Sequence, residues 1–336
     1  MIDYDKVMTP TRRTELVEQA ASMAGFEAAG VAAARPIGRI DYVAEWLARG
    51  YAGEMDYLVR HHELRSNPAN LLPGAKSVIV VAQSYRPSQS DENYFRCDAD
   101  SVRGRIARYA WGRDYHRVLR KKLRDLLQSI RQVIREPFDA RICVDTAPLI
   151  ERELAAAAGI GWIGKNTMLL HPRLGSYLFL GEIITTLDLA PNQPMADHCG
   201  TCTRCLQACP TQALHAPYAM DAHRCIAYLT IEHRGEVSAE LAARMGDWVF
   251  GCDRCQEVCP FNHKAPPSRE AAYRLPQEQA WLPRPPLNDM LNWTEDEYCR
   301  HLAGKAIRRA KLTMLQRNAV IALANHKSNI DGRQVS

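Results

Sequence analysis

The chain has 336 residues, 46% of them hydrophobic and 24% charged, with a formal net charge of +5, an ordinary globular balance with room for at least two cores. No run approaches the roughly 18 apolar residues of a membrane helix, and the opening MIDYDKVMTPTRRTEL has neither the apolar centre nor the cleavage site of a secretory leader. Eleven cysteines, clustered in a chain this long, exclude a small disulfide scaffold and point to thiolates kept for metal in a reducing compartment, the cytoplasm.

Residues 11–25 read as an amphipathic helix with Leu16, Ala20 and Met23 at helical spacing, and residues 41–47 as a second helix closed by Gly50. Ser77-Val-Ile-Val-Val-Ala82 is a β-branched run of buried-strand type. Residues 86–101 are polar and irregular, a loop. Residues 103–124 hold nine Lys or Arg against one acid, Asp114, a band that suits a solvated helix face or a polyanionic partner.

The longest helical pattern covers residues 115–136. It sets Leu119, Leu123, Leu126, Leu127, Ile130 and Ile134 on one stripe, with Arg117, Arg120, Lys121 and Arg124 largely off it. Residues 141–144 read as a strand ending at Asp145, and residues 149–158 as the helix that follows. Residues 176–180 and 182–186 read as two further strands. Strands alternating with helices predict an α/β (α+β) domain over residues 1–190. A ferredoxin-like domain over residues 191–264 and a C-terminal region over 265–336 complete the expected organisation. That last region opens with a Pro-rich connector, 265–286, and continues with helices near 294–303 and 311–324.

The strongest chemical signal is Cys199-Gly-Thr-Cys202-Thr-Arg-Cys205-Leu-Gln-Ala-Cys209-Pro210. Its spacing, C-x2-C-x2-C-x3-C-P, gives three cysteines to one iron–sulfur cluster and the fourth to another. Cys252-Asp-Arg-Cys255-Gln-Glu-Val-Cys259-Pro260 is a shortened partner, and Cys225, between the runs, can supply its missing ligand. Eight thiolates suffice for two 4Fe–4S clusters. By the crossed ferredoxin logic, one takes Cys199, Cys202, Cys205 and Cys259, and the other Cys209, Cys225, Cys252 and Cys255. The rival is a four-cysteine zinc site on Cys199, Cys202, Cys252 and Cys255, which would leave Cys205, Cys209 and Cys259 without a role. Cys97, Cys143 and Cys299 are left over, each by default a buried small hydrophobe.

Gly159-Ile-Gly161-Trp-Ile-Gly164-Lys165 matches G-x-G-x-x-G, but the residues before it are helical, so the glycines read as a helix C-terminus and turn with no nucleotide site. Asp145, where a strand gives way to a helix, suits an N-cap or a carboxyl group at the mouth of a sheet. Arg65 and Arg152 suit surface ion pairs or anion-holding groups. Asp221-Ala-His223 lacks the glycine of a D-x-H-x-x-G cobalamin motif, so His223 reads as a surface or cap residue.

With these residues in view, the chain resembles the epoxyqueuosine reductases of queuosine biosynthesis over nearly its whole length. The resemblance rests on Leu71-Leu-Pro-Gly-Ala-Lys-Ser77, Arg108-Tyr-Ala-Trp-Gly-Arg-Asp-Tyr-His116 and Val144-Asp-Thr-Ala-Pro148. It continues through Glu151-Arg-Glu-Leu154, Ala158-Gly-Ile-Gly-Trp162, Gly164-Lys165, Gly175-Ser176, the cysteine set, Arg224-Cys-Ile-Ala-Tyr-Leu-Thr230 and Phe250-Gly-Cys-Asp253. It implies a cytoplasmic, monomeric cobalamin enzyme, similar in core to reductive dehalogenases, with two 4Fe–4S clusters fed by an external low-potential electron donor. Such an enzyme removes the epoxide oxygen from epoxyqueuosine at the wobble position of tRNA.

On the same resemblance Asp145 is the proton donor, and Arg65, Asp145 and residues near Ala107, Leu169, Leu180, Ala227, Cys252 and Asp253 line the cobalamin. Ala107 and Ala227 differ from the family's residues there, so only packing or main-chain contacts are expected of them. A carboxyl group beside the apolar corrin would be kept protonated by desolvation, ready to protonate the departing oxygen. The band at 103–124, with Tyr109, Trp111 and Tyr115, would hold phosphates and stack a splayed anticodon base. Longer relatives continue into a HEAT-like region whose first helix residues 312–325 resemble, whereas this chain stops at Ser336, which bears on tRNA affinity more than on chemistry.

Two rival readings come from other classes. A reductive dehalogenase of a small halogenated substrate fits less well, since a twin-arginine export signal is absent and the basic band is present. A ferredoxin-type electron carrier would need only the cysteines and gives no reason for the first 190 residues.

Overall fold

The computed structural model describes residues 8–88 and 101–334. Its strands in chain order are β1 (Ala28–Ala33), β2 (Ser77–Ser84), β3 (Arg105–Ile106), β4 (Ala140–Cys143), β5 (Trp162–Ile163), β6 (Leu169–Leu170), β7 (Leu178–Thr185) and β8 (Trp248–Phe250). The main sheet has the order β1-β2-β7-β4, and every pairing in it is antiparallel. The α+β description therefore applies rather than a parallel α/β sheet. β2 is buried at all eight positions because it has a strand on each side and helices over both faces, which its β-branched run can fill.

One face packs on the helices α1 (Pro10–Met23) and α2 (Tyr115–Val133). There Val31, Ile79, Val81, Phe179 and Ile183 meet Val17, Ala20 and Ala21 of α1 and Leu119, Leu123, Leu126 and Ile130 of α2. The expected stripe of α2 is thus the buried one, with Leu127 only partly buried. In α1 the buried face is Thr14, Val17, Ala20 and Ala21, while Met23 is 82% exposed. The small residues bring α1 close to the sheet, and the longer Met23 falls off that face. The opposite face packs on α3 (Glu151–Ala157), where Val78, Val80, Ala82, Cys143 and Ile184 surround Leu154 and Ala155.

The two strands expected at 176–180 and 182–186 form the single strand β7. Gly181 does not interrupt it: a Cβ there would lie 2.9 Å from Leu123 Cδ1, so the glycine admits α2 rather than breaking the strand. The glycines at 159 and 161 do close a helix, as expected. Gly159 has φ +71°, and a Cβ on Gly161 would meet the Leu170 carbonyl at 2.1 Å in the β5–β6 hairpin.

Residues 265–286 are not a free connector. Ser268 N–H donates to Arg86 O, Tyr273 joins the sheet-and-helix core, and Leu275 and Leu282 enter a second core. That core joins Ile106, Trp111, Val249 and Phe250, around the parallel β3–β8 pair, to the helix Leu287–Asn292, unforeseen in the sequence, and to α4 (Leu312–Gln334). Residues from all three expected stretches thus pack together. On α4, fully buried Asn318 donates from Nδ2 to Thr230 O at 3.1 Å and Val249 O at 2.9 Å. Asn318→Ala strips both carbonyls of their partner and is expected to cost about 1–3 kcal/mol, read as a lower Tm with iron content unchanged.

Candidate functional site

The cysteines ride on short turns. Cys205 and Cys255 lie in the one-turn helices Arg204–Gln207 and Arg254–Glu257, and Cys259 precedes Pro260, which opens Pro260–His263. The proline suits that first helical position because its missing N–H would be unpaired there anyway. Cys199, Cys202, Cys205 and Cys259 line one cavity of about 250 Å³ with Leu170, Phe261, Lys165 and Arg204. Cys255 is pushed up by burial and then by the neighbouring thiols of Cys252, Cys225 and Cys209. Cys252 is pushed up by burial as well, with Cys225, Asp253 and Cys209 adding to it. Cys199, Cys202, Cys205 and Cys259 thus share one space, and Cys209, Cys225 and Cys252 neighbour Cys255.

Among the described residues no three His, Cys, Asp or Glu side chains stand close enough to hold one metal ion, as tetrahedral zinc requires. A four-iron cluster instead sits between its thiolates, and the first set surrounds a space of that kind. Metal binding would also displace the protons that burial keeps on Cys199, Cys205 and Cys259.

A larger cavity, of about 870 Å³, opens on the second set. Cys225, Ala227 and Tyr228 form one side, from the helix Ile226–Ile231 and its N-cap. Tyr109, Tyr115, His116 and Asp145 form another, and Arg65, Arg308 and Arg309 add positive charge. Arg65 donates from Nη1 to Leu149 O, while its buried Nε has no hydrogen-bond partner. A cavity of this size, apolar on its flanks and carrying a few donors, fits a large cofactor.

Asp145 is where the titratable groups of the cavity converge. Beyond β4 the chain turns sharply, and Asp145 takes φ +52°, rare for a residue with a Cβ. It is not an N-cap, because α3 begins at Glu151 with Ile150 at its cap. Its N–H donates to Glu151 Oε1 at 2.6 Å, and its Oδ2 lies 2.9 Å from His116 Nε2. The other ring nitrogen of His116 lies 2.7 Å from Oδ1 of Asp114, the residue that caps α2.

Burial lowers His116, but the two carboxylates outweigh it and raise the imidazole to about 9. Burial likewise raises Asp145, yet the hydrogen bond and charge of His116 leave its carboxyl below the usual range. This reverses the expectation of a carboxyl kept protonated by desolvation: at neutral pH the proton of the pair rests on His116.

Of the residues expected around a cofactor, Arg65, Asp145 and Ala227 line the large cavity. Ala107 is buried, its N–H donating to Phe250 O, and it packs in one core with Ala222, Ile226 and partly buried Cys252. Asp253 is buried as well and accepts from the Arg108 N–H at 2.8 Å and Arg108 Nη1 at 3.1 Å. Leu169 and Leu180 pack in the core beneath α3 instead of the cavity wall, because the alternation of their strands turns them to that face. Arg152 bonds the Thr167 carbonyl. His223 is a local partner of Asp221, as expected of a cap residue.

The basic band is not one surface. Arg105 and Arg108 pair with Glu257, and Lys122 pairs with Glu270. Arg117, Arg120, Lys121 and Arg124 face outward. Trp111 is buried, donating to Ile106 O, so it offers no face to a base, whereas Tyr109 and Tyr115 border the cavity. Cys143 is buried as expected, Cys299 is exposed, and Cys97 lies outside the described residues. His116 and Glu151 were missed as site residues. The only sequence signal for either was a place in a quoted block, and neither block shows which side chains meet across the fold.

Comparison with known proteins adds the following. A family model described as epoxyqueuosine reductase QueG, DUF1730, matches residues 65–146, and a 4Fe-4S double cluster binding domain matches residues 198–262. An epoxyqueuosine reductase from Pseudomonas aeruginosa is 38% identical over 322 residues, 96% of this chain and 88% of that one. A solved epoxyqueuosine reductase with a tRNA-Tyr epoxyqueuosine-modified stem loop is 34% identical, with a TM-score of 0.82 over 93% of this chain and 80% of that one. The Bacillus subtilis enzyme, solved with an aspartate-bearing catalytic loop swung out of the active site, is 33% identical, with a TM-score of 0.78 over the same shares. No helix among the described residues is long and apolar enough to cross a membrane.

Proposed function

The chain belongs to the epoxyqueuosine reductase family, and from that premise we propose that it reduces epoxyqueuosine to queuosine in tRNA with two 4Fe–4S clusters and cobalamin, the latter in the large cavity. Each turnover takes two electrons and two protons, breaks both carbon–oxygen bonds of the epoxide, forms the ring alkene and releases water. The observation that carries the proposal is the meeting of Cys225, Asp145 and His116 on one cavity. An electron carrier would need the cysteines but not that cavity. When bound, the cofactors supply low-potential single electrons and the cobalt centre at which a carbon–oxygen bond is broken.

The residues of the chain do the rest. Arg65, with its unpartnered Nε, and the Ala227 segment would hold the corrin, and Cys225 would bring the second cluster to its edge. Opening the epoxide leaves an alkoxide that needs a proton. The His116–Asp145 pair holds one at the cavity wall, and Asp114 steadies the imidazolium from behind. Asp145 can take that proton from His116 and pass it to the oxygen, and His116 regains one from solvent. The swung-out loop in the Bacillus subtilis relative supports a catalytic aspartate on a loop that moves.

The further assignments belong to the same proposal. The cysteine sets serve as cluster ligands, residues 191–264 as the cluster-bearing segment, and the enzyme works as a cytoplasmic monomer on tRNA with an external low-potential donor. The direct test is incubation of the holoenzyme and a reductant with epoxyqueuosine-containing tRNA, followed by nucleoside analysis. Formation of queuosine supports the proposal, and unchanged epoxyqueuosine with both cofactors loaded defeats it.

The pH profile tests the proton pair. His116 is raised in the fold, so its pairing contributes stability that is complete below its ordinary 6.5 and is lost as pH rises through about 9. Turnover should fall over the same upper limb as His116 loses its proton. His116→Gln should flatten that limb and lower kcat on the order of 10²-fold. A normal limb in the variant would remove His116 from the proton path.

A further inference from the structure

Glu182 stands in the middle of β7, paired with Val80 on one side and Cys143 on the other. It is wholly buried, and its carboxyl oxygens meet no donor other than the carboxyl of Glu151. Alternation along β7 turns it, like Leu178, Leu180 and Ile184, to the face covered by α3. Glu151 opens α3, and its Oε1 accepts the Asp145 N–H at 2.6 Å. Asp145 meanwhile holds a left-handed φ of +52°, which a residue with a Cβ keeps only when its surroundings impose it.

We propose that Glu151, backed by Glu182, is a positioning residue whose carboxyl oxygen latches the Asp145 amide into this turn and so aims the Asp145 carboxyl at His116 and the cavity. Two like charges in so dry a place cannot both persist. Burial, and then the charge of Glu151, hold Glu182 well above the usual carboxylate range. Glu182 is thus the neutral member; burial and then the charge of Asp145 push Glu151 itself up to about 7, and in either form it keeps an oxygen for the Asp145 amide. Glutamate in the first turn of a helix also sits at the favourable end of the helix dipole. The latch reaches the reaction only through Asp145, so its catalytic consequence rests on Asp145 being the acid.

The test measures hydrogen exchange of the peptide covering residues 144–150 in the holoenzyme, beside kcat and KM for epoxyqueuosine-containing tRNA. Glu151→Ala should raise exchange there at least about tenfold and lower kcat on the order of 10–100-fold, with KM held within about threefold and iron content unchanged. Glu151→Gln keeps an oxygen acceptor and should restore both readouts to within about threefold of wild type. Glu182→Gln replaces a neutral carboxyl with an amide of the same shape and should behave as wild type.

Wild-type exchange at 144–150 in Glu151→Ala would overturn the latch whatever the activity does. Exchange raised across the whole sheet, equally in Glu151→Gln, would overturn it in favour of a general structural role. A kcat loss in Glu182→Gln as large as in Glu151→Ala would overturn the neutral state of Glu182. Raised exchange in Glu151→Ala together with full activity in Asp145→Asn would leave the latch standing and remove the acid.

Discussion

Asp145→Asn is expected to keep both clusters and cobalamin yet lose turnover on the order of 10²–10⁴-fold, the usual worth of a positioned proton donor. The side-chain amide is isosteric, the backbone N–H of residue 145 can still donate to Glu151, and the side-chain oxygen can still accept from His116. What it lacks is a proton it can give up and regain. Structure, loading and tRNA binding should therefore be unmoved while kcat collapses. Iron analysis, the spectrum of bound cobalamin and single-turnover kinetics on epoxyqueuosine-containing tRNA check each part separately. Wild-type single-turnover rates would remove Asp145 from the chemistry and leave His116 to supply the proton directly.

Cys225→Ala is expected to remove one cluster and stop turnover. Cys225 caps the helix Ile226–Ile231 and borders the large cavity, so it is the thiol through which the second set meets the proposed cobalamin site. The remaining Cys209, Cys252 and Cys255 offer only three of four ligands. Iron and sulfide should fall by about half, with the first set intact. Full iron content in the variant would refute both the ligand set and the crossed assignment. Half the iron with normal turnover would show that electrons reach the cavity without the second cluster.

The gathering of the cysteines was legible in the sequence because their spacing is local: turns of three or four residues fix which thiols can meet. Cys225 was legible only by counting, as the missing eighth. The surroundings of the proposed acid were half legible. Asp145 could be placed at the end of a strand, but its partner lies 29 residues earlier, on the first turn of α2. No periodicity reports that meeting, and so the protonation state was expected the wrong way round. Desolvation was read from an apolar neighbour, whereas the imidazolium dominates.

Leu169 and Leu180 show the same limit for the cavity wall. Sequence position gave their neighbourhood, but strand alternation turned them to the other face. The basic band was legible only in part, for a different reason. Charge along a chain does not reveal the acids it will meet, and Glu257 and Glu270, from the far end of the sequence, absorb Arg105, Arg108 and Lys122. Gly181 misled through its ordinary reputation as a breaker, since its role is to admit Leu123.

The most direct test titrates cobalamin into the anaerobically reconstituted protein carrying both clusters, follows the visible spectrum, and assays the same samples on epoxyqueuosine-containing tRNA. Saturable binding near one equivalent is expected, with queuosine formation rising in step and lost in Asp145→Asn. No cobalamin binding with both clusters in place, or full turnover without it, would contradict the account of the large cavity.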